Sequence, residues 1–189
     1  MTKNRLVAFT GKKYHGKDTA AQSLRSQGYK MVSLAQPVRM VCHTMFGLQA
    51  EEMNDPLLKQ KILERWPYQT PRKLMQEVAQ FARDKYPGIW VIRWEQEVAR
   101  QFLLHESVVT TDLRYLDEAV AVKKLGGIII RIVRPFQEDD EFSSHPSETE
   151  LSNIVQDFTI INDKTPEHLQ EQVEGIVFPK QRYKKWYSF

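Results

Sequence analysis

Short apolar runs alternate along this chain with stretches whose apolar positions recur every three or four residues. That alternation predicts strands and helices in turn. The run at 5–10 predicts a buried strand, and 17–27 follows with helical spacing at Ala20, Ala21 and Leu24. A short second strand is expected at 30–34. Pro37 suits the first turn of a helix that runs to Phe46, where Gly47 stops it. Residues 48–69 are polar and interrupted by Pro56 and Pro67, so a short helix around 56–65 is expected on a mobile surface lobe. Thr70 and Pro71 read as the N-cap and first position of the next helix, with Leu74, Val78, Phe81 and Ala82 on one face. Pro87-Gly88 breaks it, and a further helix is expected at 89–104.

The second half repeats the alternation. Strands are expected at 107–111, 128–133 and 158–161. Helices are expected at 116–125, ended by Gly126-Gly127, and from Thr165-Pro166 to about Glu174. Residues 135–147 are acidic, polar and flanked by proline, as in a loop or lid. The order argues for an α/β fold with a mainly parallel sheet, whose ligands gather at the carboxyl ends of the strands. With 189 residues, one domain with inserted lobes is expected.

The first strand runs directly into G-K-K-Y-H-G-K-D-T at 11–19. This is the G-x-x-x-x-G-K pattern of a phosphate-binding loop, in the strand–loop–helix setting the motif requires. Gly11 and Gly16 allow the backbone to wrap an anion, and Lys17 reaches the terminal phosphates of a nucleoside triphosphate. Lys13 and His15 lie within the loop. The usual Ser or Thr after the lysine is replaced by Asp18, with Thr19 next, so either residue could serve a magnesium ion.

Other candidates also fall at strand ends. Asp112 stands where such enzymes place a magnesium-holding acid, or it caps the following helix. Arg114, two residues on, could reach a phosphate. Arg134 leaves its strand beside the lid, where a planar guanidinium can clamp a transferring phosphoryl group. Arg39 and Arg72, each near the start of a helix, could grip an acceptor phosphate. Arg131 interrupts an apolar strand and is expected at a sheet edge. His145 belongs to no metal-ligand pattern, and Ser147 with Glu150 fits a capping box.

Composition narrows the classes. Apolar residues at 41% and charged residues at 27% fit a globular chain, and the absence of a long apolar run predicts no membrane span. No secretory signal precedes the first strand, and the single cysteine, Cys42, fits a reducing cytoplasm and a core thiol. A net charge of +3 is too mild to imply nucleic acid. The basic, aromatic tail at 180–189 could stack on bases, but a tail folded on its own domain or lying in solvent is the favoured reading. The sequence leaves a homodimer open.

Taken together the motifs resemble the deoxynucleoside monophosphate kinases of tailed bacteriophages, within the P-loop nucleoside monophosphate kinases. The matching segments are G-K-D-T at 16–19, L-A-Q-P-V-R at 34–39, and P-R-K-L-M-Q at 71–76 with Trp90. They continue with D-L-R-Y-L-D-E-A at 112–119, G-G-I-I-I-R-I-V-R-P at 126–135, H-P-S-E at 145–148 and I-N-D at 161–163. The aspartate after the P-loop lysine is typical of that branch. The resemblance implies a three-layer kinase fold with a five-stranded sheet: a core of about 1–35, 105–134 and 148–178, an acceptor-binding helical lobe over 36–104, and a lid at 135–147. It implies ATP-dependent phosphorylation of a deoxynucleoside monophosphate with Mg²⁺, in the cytoplasm (that of a host, for a phage protein).

The same resemblance implies the division of labour. Lys17 and the loop around Gly11, Lys13, His15 and Gly16 hold ATP, with Asp18, Thr19 and Asp112 serving the metal. Arg39, Arg72, Gln76, Trp90, Asp112 and Arg114 face the acceptor. Arg134 clamps the transferred group with Lys17 and Arg114, and Asn162-Asp163 lie near the adenine. The stretch 48–70 is short for the family. Phosphomevalonate kinases of the animal type share G-K-D and D-x-R and form the nearest alternative. A nucleotide-binding module without kinase activity is the alternative of a different class.

Overall fold

The computed structural model describes residues 5–135 and 150–179. Most of the lid segment, the 145–148 motif and the tail at 180–189 lie outside the described residues. Five parallel strands form one sheet: β1 (Leu6–Thr10), β2 (Lys30–Met31), β3 (Val108–Thr110), β4 (Ile128–Val133) and β5 (Phe158–Ile161). Their order is β2-β3-β1-β4-β5, so the P-loop strand is central and both neighbours run parallel to it. The helices are α1 (Lys17–Ser26), α2 (Gln36–Phe46), α3 (Ala50–Asn54), α4 (Pro71–Lys85), α5 (Ile89–Leu103), α6 (Leu116–Lys124) and α7 (Pro166–Val177).

All five residues of β1 are buried because alternate side chains enter opposite layers. Leu6 and Ala8 pack with Trp94 and Val98 of α5 and Val122 of α6. Val7 and Phe9 pack with Leu24 of α1 and Leu169 and Val173 of α7. A third apolar cluster lies away from the sheet, where Val38 and Cys42 of α2, Met53 of α3 and Leu74 of α4 surround Trp90 of α5. Helix α5 therefore belongs to two cores. Trp94 donates its indole N–H to the Val32 carbonyl at 3.2 Å, and Trp90, one turn away, donates to the Ala79 carbonyl at 3.0 Å. This fixes the helical lobe to the sheet through one rigid element.

Three expectations need correction. The helix expected around 56–65 is instead the earlier α3 and a 3₁₀ turn at Leu58–Gln60. Gln49 and Glu52 close a reciprocal capping box that starts α3, and the Asp55 carboxylate accepts from the N–H groups of Leu57 and Leu58, holding the chain in a tight turn. The second strand stops at Met31 rather than running to 34, because Asp112 captures the N–H groups of Leu34 and Ala35. Arg131 lies on β4, an interior strand, and not at a sheet edge. Its guanidinium finds partners above the sheet, donating to the carbonyls of Leu151 and Ile154, both at 2.8 Å.

Thr70 caps α4 as expected, accepting from the Lys73 N–H, and Gly47 ends α2 in the left-handed conformation. Cys42 is fully buried, and burial raises its pKa to about 11, which makes it a core thiol. Among the described residues no helix is long and apolar enough to cross a membrane.

Candidate active site

The P-loop is built by close backbone approach. Gly11 has φ +140°, and a Cβ there would stand 2.3 Å from the Ile132 carbonyl oxygen on β4. Gly16 has φ +98°, and its Cβ would stand 2.5 Å from the Asn162 side-chain nitrogen. Both positions therefore require glycine for space and for conformation. His15 is buried between them, with Nδ1 3.1 Å from the same Ile132 carbonyl. Burial lowers the His15 pKa, and the charges of Lys17, Lys12 and Arg134 add to that, against the raising effect of the Ile132 carbonyl. A neutral ring that donates its Nδ1 proton to Ile132 satisfies all of these.

Asn162 completes the brace. Its amide donates to the His15 carbonyl at 2.9 Å, and its own N–H donates to Val133 at 2.7 Å. The loop is thus held from β4 and β5 at once. Lys17 spans it from below, donating to the carbonyls of Gly11 at 2.6 Å and Lys12 at 2.7 Å. Gly16 precedes α1 with no capping side chain, so the N–H groups of the first turn are not taken by a cap and suit an anion. Asp18 and Thr19 stand in that first turn, Asp18 exposed and Thr19 half-buried. Arg134 is exposed just past the end of β4, and Asp163 is exposed past β5.

Across the sheet, Asp112 is fully occupied. One carboxylate oxygen accepts from the Leu34 N–H and the Thr110 hydroxyl, each at 3.0 Å. The other accepts from the Ser33 hydroxyl at 2.6 Å and the Ala35 N–H at 3.0 Å. Four donors fill the four lone-pair sites of a carboxylate. Asp112 does not cap α6, which Glu118 starts by accepting from the N–H groups of Arg114 and Tyr115. It caps the turn between β2 and α2 instead. Ser33 then accepts a 3.0 Å bond from an Arg39 terminal nitrogen, so Asp112, Ser33 and Arg39 form a chain.

Arg39 belongs to a cluster of cations. Lys59, half-buried on the 58–60 turn, has its pKa pushed down to about 8 by burial and by the charges of Arg39, Arg72, Arg114 and Lys13. These residues come from the P-loop, α2, the 3₁₀ turn, α4 and the loop after β3. The Arg39 Nε is buried with no hydrogen-bond partner. Like charges gathered around a buried guanidinium nitrogen without a partner cost stability, so the arrangement fits a bound anion.

The remaining expected residues divide. Gln76 is exposed one turn beyond Arg72 on the same face of α4. Trp90 is only 7% exposed, packed in the lobe core with its indole N–H engaged, so its ring offers no stacking face. Asn162 is likewise buried behind the loop, with its amide committed to His15. Lys59 and Ser33 were missed by sequence reasoning. Lys59 sits in a polar stretch with no motif, and only the fold brings it to the arginines. Ser33 directly precedes the L-A-Q-P-V-R segment, and its hydroxyl beside a strand end was the available signal. No group of three His, Cys, Asp or Glu side chains among the described residues could hold a metal by itself.

Comparison with known proteins gives a consistent picture. A protein of Acanthamoeba polyphaga mimivirus named "Putative deoxynucleotide monophosphate kinase" is 33% identical over 186 residues, covering 91% of this chain and 95% of the viral protein. Dephospho-CoA kinase from Campylobacter jejuni superposes with a TM-score of 0.51 at 14% identity, over 91% of this chain and 94% of that enzyme. TT1252 from Thermus thermophilus superposes with a TM-score of 0.53 at 17% identity, over 93% and 97% of the two chains. No family model matches the chain. The two structural likenesses show a shared fold, that of the P-loop kinases.

Proposed function

The chain belongs to the deoxynucleotide monophosphate kinase family, and on that premise we propose that it transfers the γ-phosphoryl group of ATP to a deoxynucleoside 5′-monophosphate. The observation that carries this reading is the cation cluster of Lys13, Arg39, Lys59, Arg72 and Arg114, set beside a braced phosphate loop. A protein that only binds ATP has no need of a second anion site fed by five cations. A phosphoryl-transfer enzyme needs one for its acceptor.

In this reading the P-loop amides and Lys17 hold the β- and γ-phosphates. Lys17 exchanges its bonds to the Gly11 and Lys12 carbonyls for phosphate oxygens. Arg39, Arg72 and Arg114 draw the acceptor phosphate into line, and that anion is itself the nucleophile, so no general base is required. As charge develops on the transferring group, Arg134 and Lys17 meet it with fixed donors. The side chains available to a magnesium ion are hard oxygen donors, the Asp18 carboxylate and the Thr19 hydroxyl, which fit that ion. Magnesium bound with ATP neutralises the phosphate charge. Asp112 is already saturated, so its part is to shape the acceptor loop through Ser33 and Arg39. The deep position of Asn162 and Trp90 makes them supports of the site rather than contacts.

An ADP-release assay with ATP and Mg²⁺ over a panel of deoxynucleoside monophosphates, ribonucleoside monophosphates and phosphomevalonate tests the reading. Turnover is expected on at least one deoxynucleotide, with phosphomevalonate inert. ATP binding without turnover on any nucleotide would refute it.

A further inference from the structure

We propose that Lys59, carried on the 3₁₀ turn at Leu58–Gln60, is an acceptor-binding residue that contacts the monophosphate's anion together with Arg39, Arg72 and Arg114. The inference rests on the reading that this cluster receives the acceptor. The turn packs against α3 and α4, and α4 packs in turn against α2, which brings Lys59 to the N-terminal ends of two helices that carry arginines.

The surroundings decide what the residue is for. A structural lysine at a partly buried site is normally paired with an acid. Among the described residues no carboxylate pairs with Lys59, and acids on the elements around it are engaged elsewhere or lie exposed. On α3, Glu52 is held by Arg65 at 2.7 Å, and Glu51 lies exposed. The Asp55 carboxylate caps the turn itself, at 2.8 and 2.9 Å from the Leu57 and Leu58 nitrogens. On α4, Glu77 faces Lys73 at 3.8 Å. The charged groups that do act on Lys59 are all cations, from α2, α4, the loop after β3 and the P-loop. The unpartnered buried Nε of Arg39 is an independent sign of an unsatisfied anion site at the same place.

Two consequences separate this role from a structural one. Removing the charge should stabilise the ligand-free protein, because it relieves repulsion; removing a structural lysine would destabilise it. The sign with pH is also fixed. The folded pKa of about 8 lies below the ordinary value of 10.5, so the folded state binds fewer protons between them. The repulsive penalty is present in full below about pH 8 and is relieved as pH rises towards 10.5. Acceptor binding should weaken over the same rise, as the lysine loses its charge.

The test uses the full chain with its P-loop first filled by a non-hydrolysable ATP analogue and Mg²⁺, so that added phosphate reports on the acceptor side alone. Orthophosphate is titrated by calorimetry into wild type, Lys59→Met and Lys59→Arg. Lys59→Met should weaken phosphate about tenfold, as expected for loss of one charge-assisted bond, while Lys59→Arg stays near wild type. The melting temperature of unliganded Lys59→Met should rise, and affinity for the ATP analogue should not change. Unchanged phosphate affinity in Lys59→Met overturns the proposal, as does a lowered melting temperature with equal loss in Lys59→Arg. The kinase reading fails separately, if wild type turns over no nucleotide while the phosphate titration still distinguishes the variants.

Discussion

The donor loop and the acceptor pocket are built in opposite ways. Around the P-loop the bracing groups are paired, and the first-turn N–H groups of α1 are left for an anion: Ile132 serves His15, Asn162 serves the His15 carbonyl, and Lys17 spans two loop carbonyls. Geometry there comes from close approach, of the Ile132 backbone to Gly11 and of the Asn162 side chain to Gly16, at two positions whose positive φ also favours glycine. The acceptor side gathers like charges, leaves a buried guanidinium nitrogen without a partner and lowers a lysine pKa. The first region is pre-organised without ligand. The second is held together by the apolar core of the lobe against its own repulsion, and a bound anion would relieve it. Strain of this kind at a site is tolerated when the surrounding packing over-determines the structure.

If the contrast is right, damage on the donor side appears in kcat and damage on the acceptor side in the acceptor KM. The largest effect is expected from Lys17→Ala. Losing a donor to transition-state charge should lower kcat by about 10²–10³-fold. The melting temperature should move little, because the lysine's present partners are carbonyls at a solvent-accessible loop. Steady-state kinetics beside thermal melts check both. A kcat near that of wild type would remove the loop from the chemistry and break the comparison at its donor end.

The same contrast explains what could be read in advance. β1, the two loop glycines and Lys17 are contiguous, so one stretch of sequence specifies the donor side. The helices that alternate with the parallel strands were also legible, since Thr70, Pro71, Gly47 and the apolar spacing are local signals. The acceptor pocket is assembled from separated segments that meet only through the lobe core. Nothing near Lys59 marks it among 27 Lys and Arg residues until the 58–60 turn packs beside α4. Trp90 enters as an acceptor contact only through the family resemblance, and a tryptophan carries the same signal in a core as on a binding face. Asp112 stands out by its position at a strand end, but Ser33, Leu34 and Ala35, the carboxylate partners that set its work, are 77–79 residues away and carry no local signal. Arg134 rests on its place beyond β4, and a test of its role belongs with the donor-side variants.

Asp112→Asn sharpens the comparison at the boundary between the two sides. The amide keeps one acceptor oxygen and turns two donors away, loosening Ser33 and Ala35 or Leu34 and Thr110. Loss of such bonds costs about 1–3 kcal/mol, which corresponds to roughly a 5- to 150-fold rise in acceptor KM if the slack passes through Ser33 to Arg39. The Mg²⁺ activation curve should stay in place. A shifted magnesium curve with an unchanged acceptor KM would make Asp112 a servant of the metal instead and move it to the donor side.

The smallest effect concerns Glu118, beneath the acceptor loop. Its carboxyl is 4% exposed and accepts from the N–H groups of Arg114 at 2.8 Å and Tyr115 at 3.0 Å. Burial pushes its pKa up to about 8; the two N–H groups oppose the shift, and the nearby charges of Asp112 and Asp117 add to it. An unfolded glutamate ionises near 4.5, so between 4.5 and about 8 the folded state holds the extra proton. Stability therefore falls as pH rises through that window, and the loss is complete above about 8. Glu118→Gln retains an acceptor for the N–H groups and has no proton to lose, so its stability should be flatter from pH 5 to 8, with kcat nearly unchanged. Urea midpoints of the two proteins at pH 5, 6.5 and 8 measure the difference. Parallel slopes would mean that the two N–H groups keep the buried carboxylate ionised. The loop that carries Arg114 would then be held by an anion throughout, as firmly organised as the donor side.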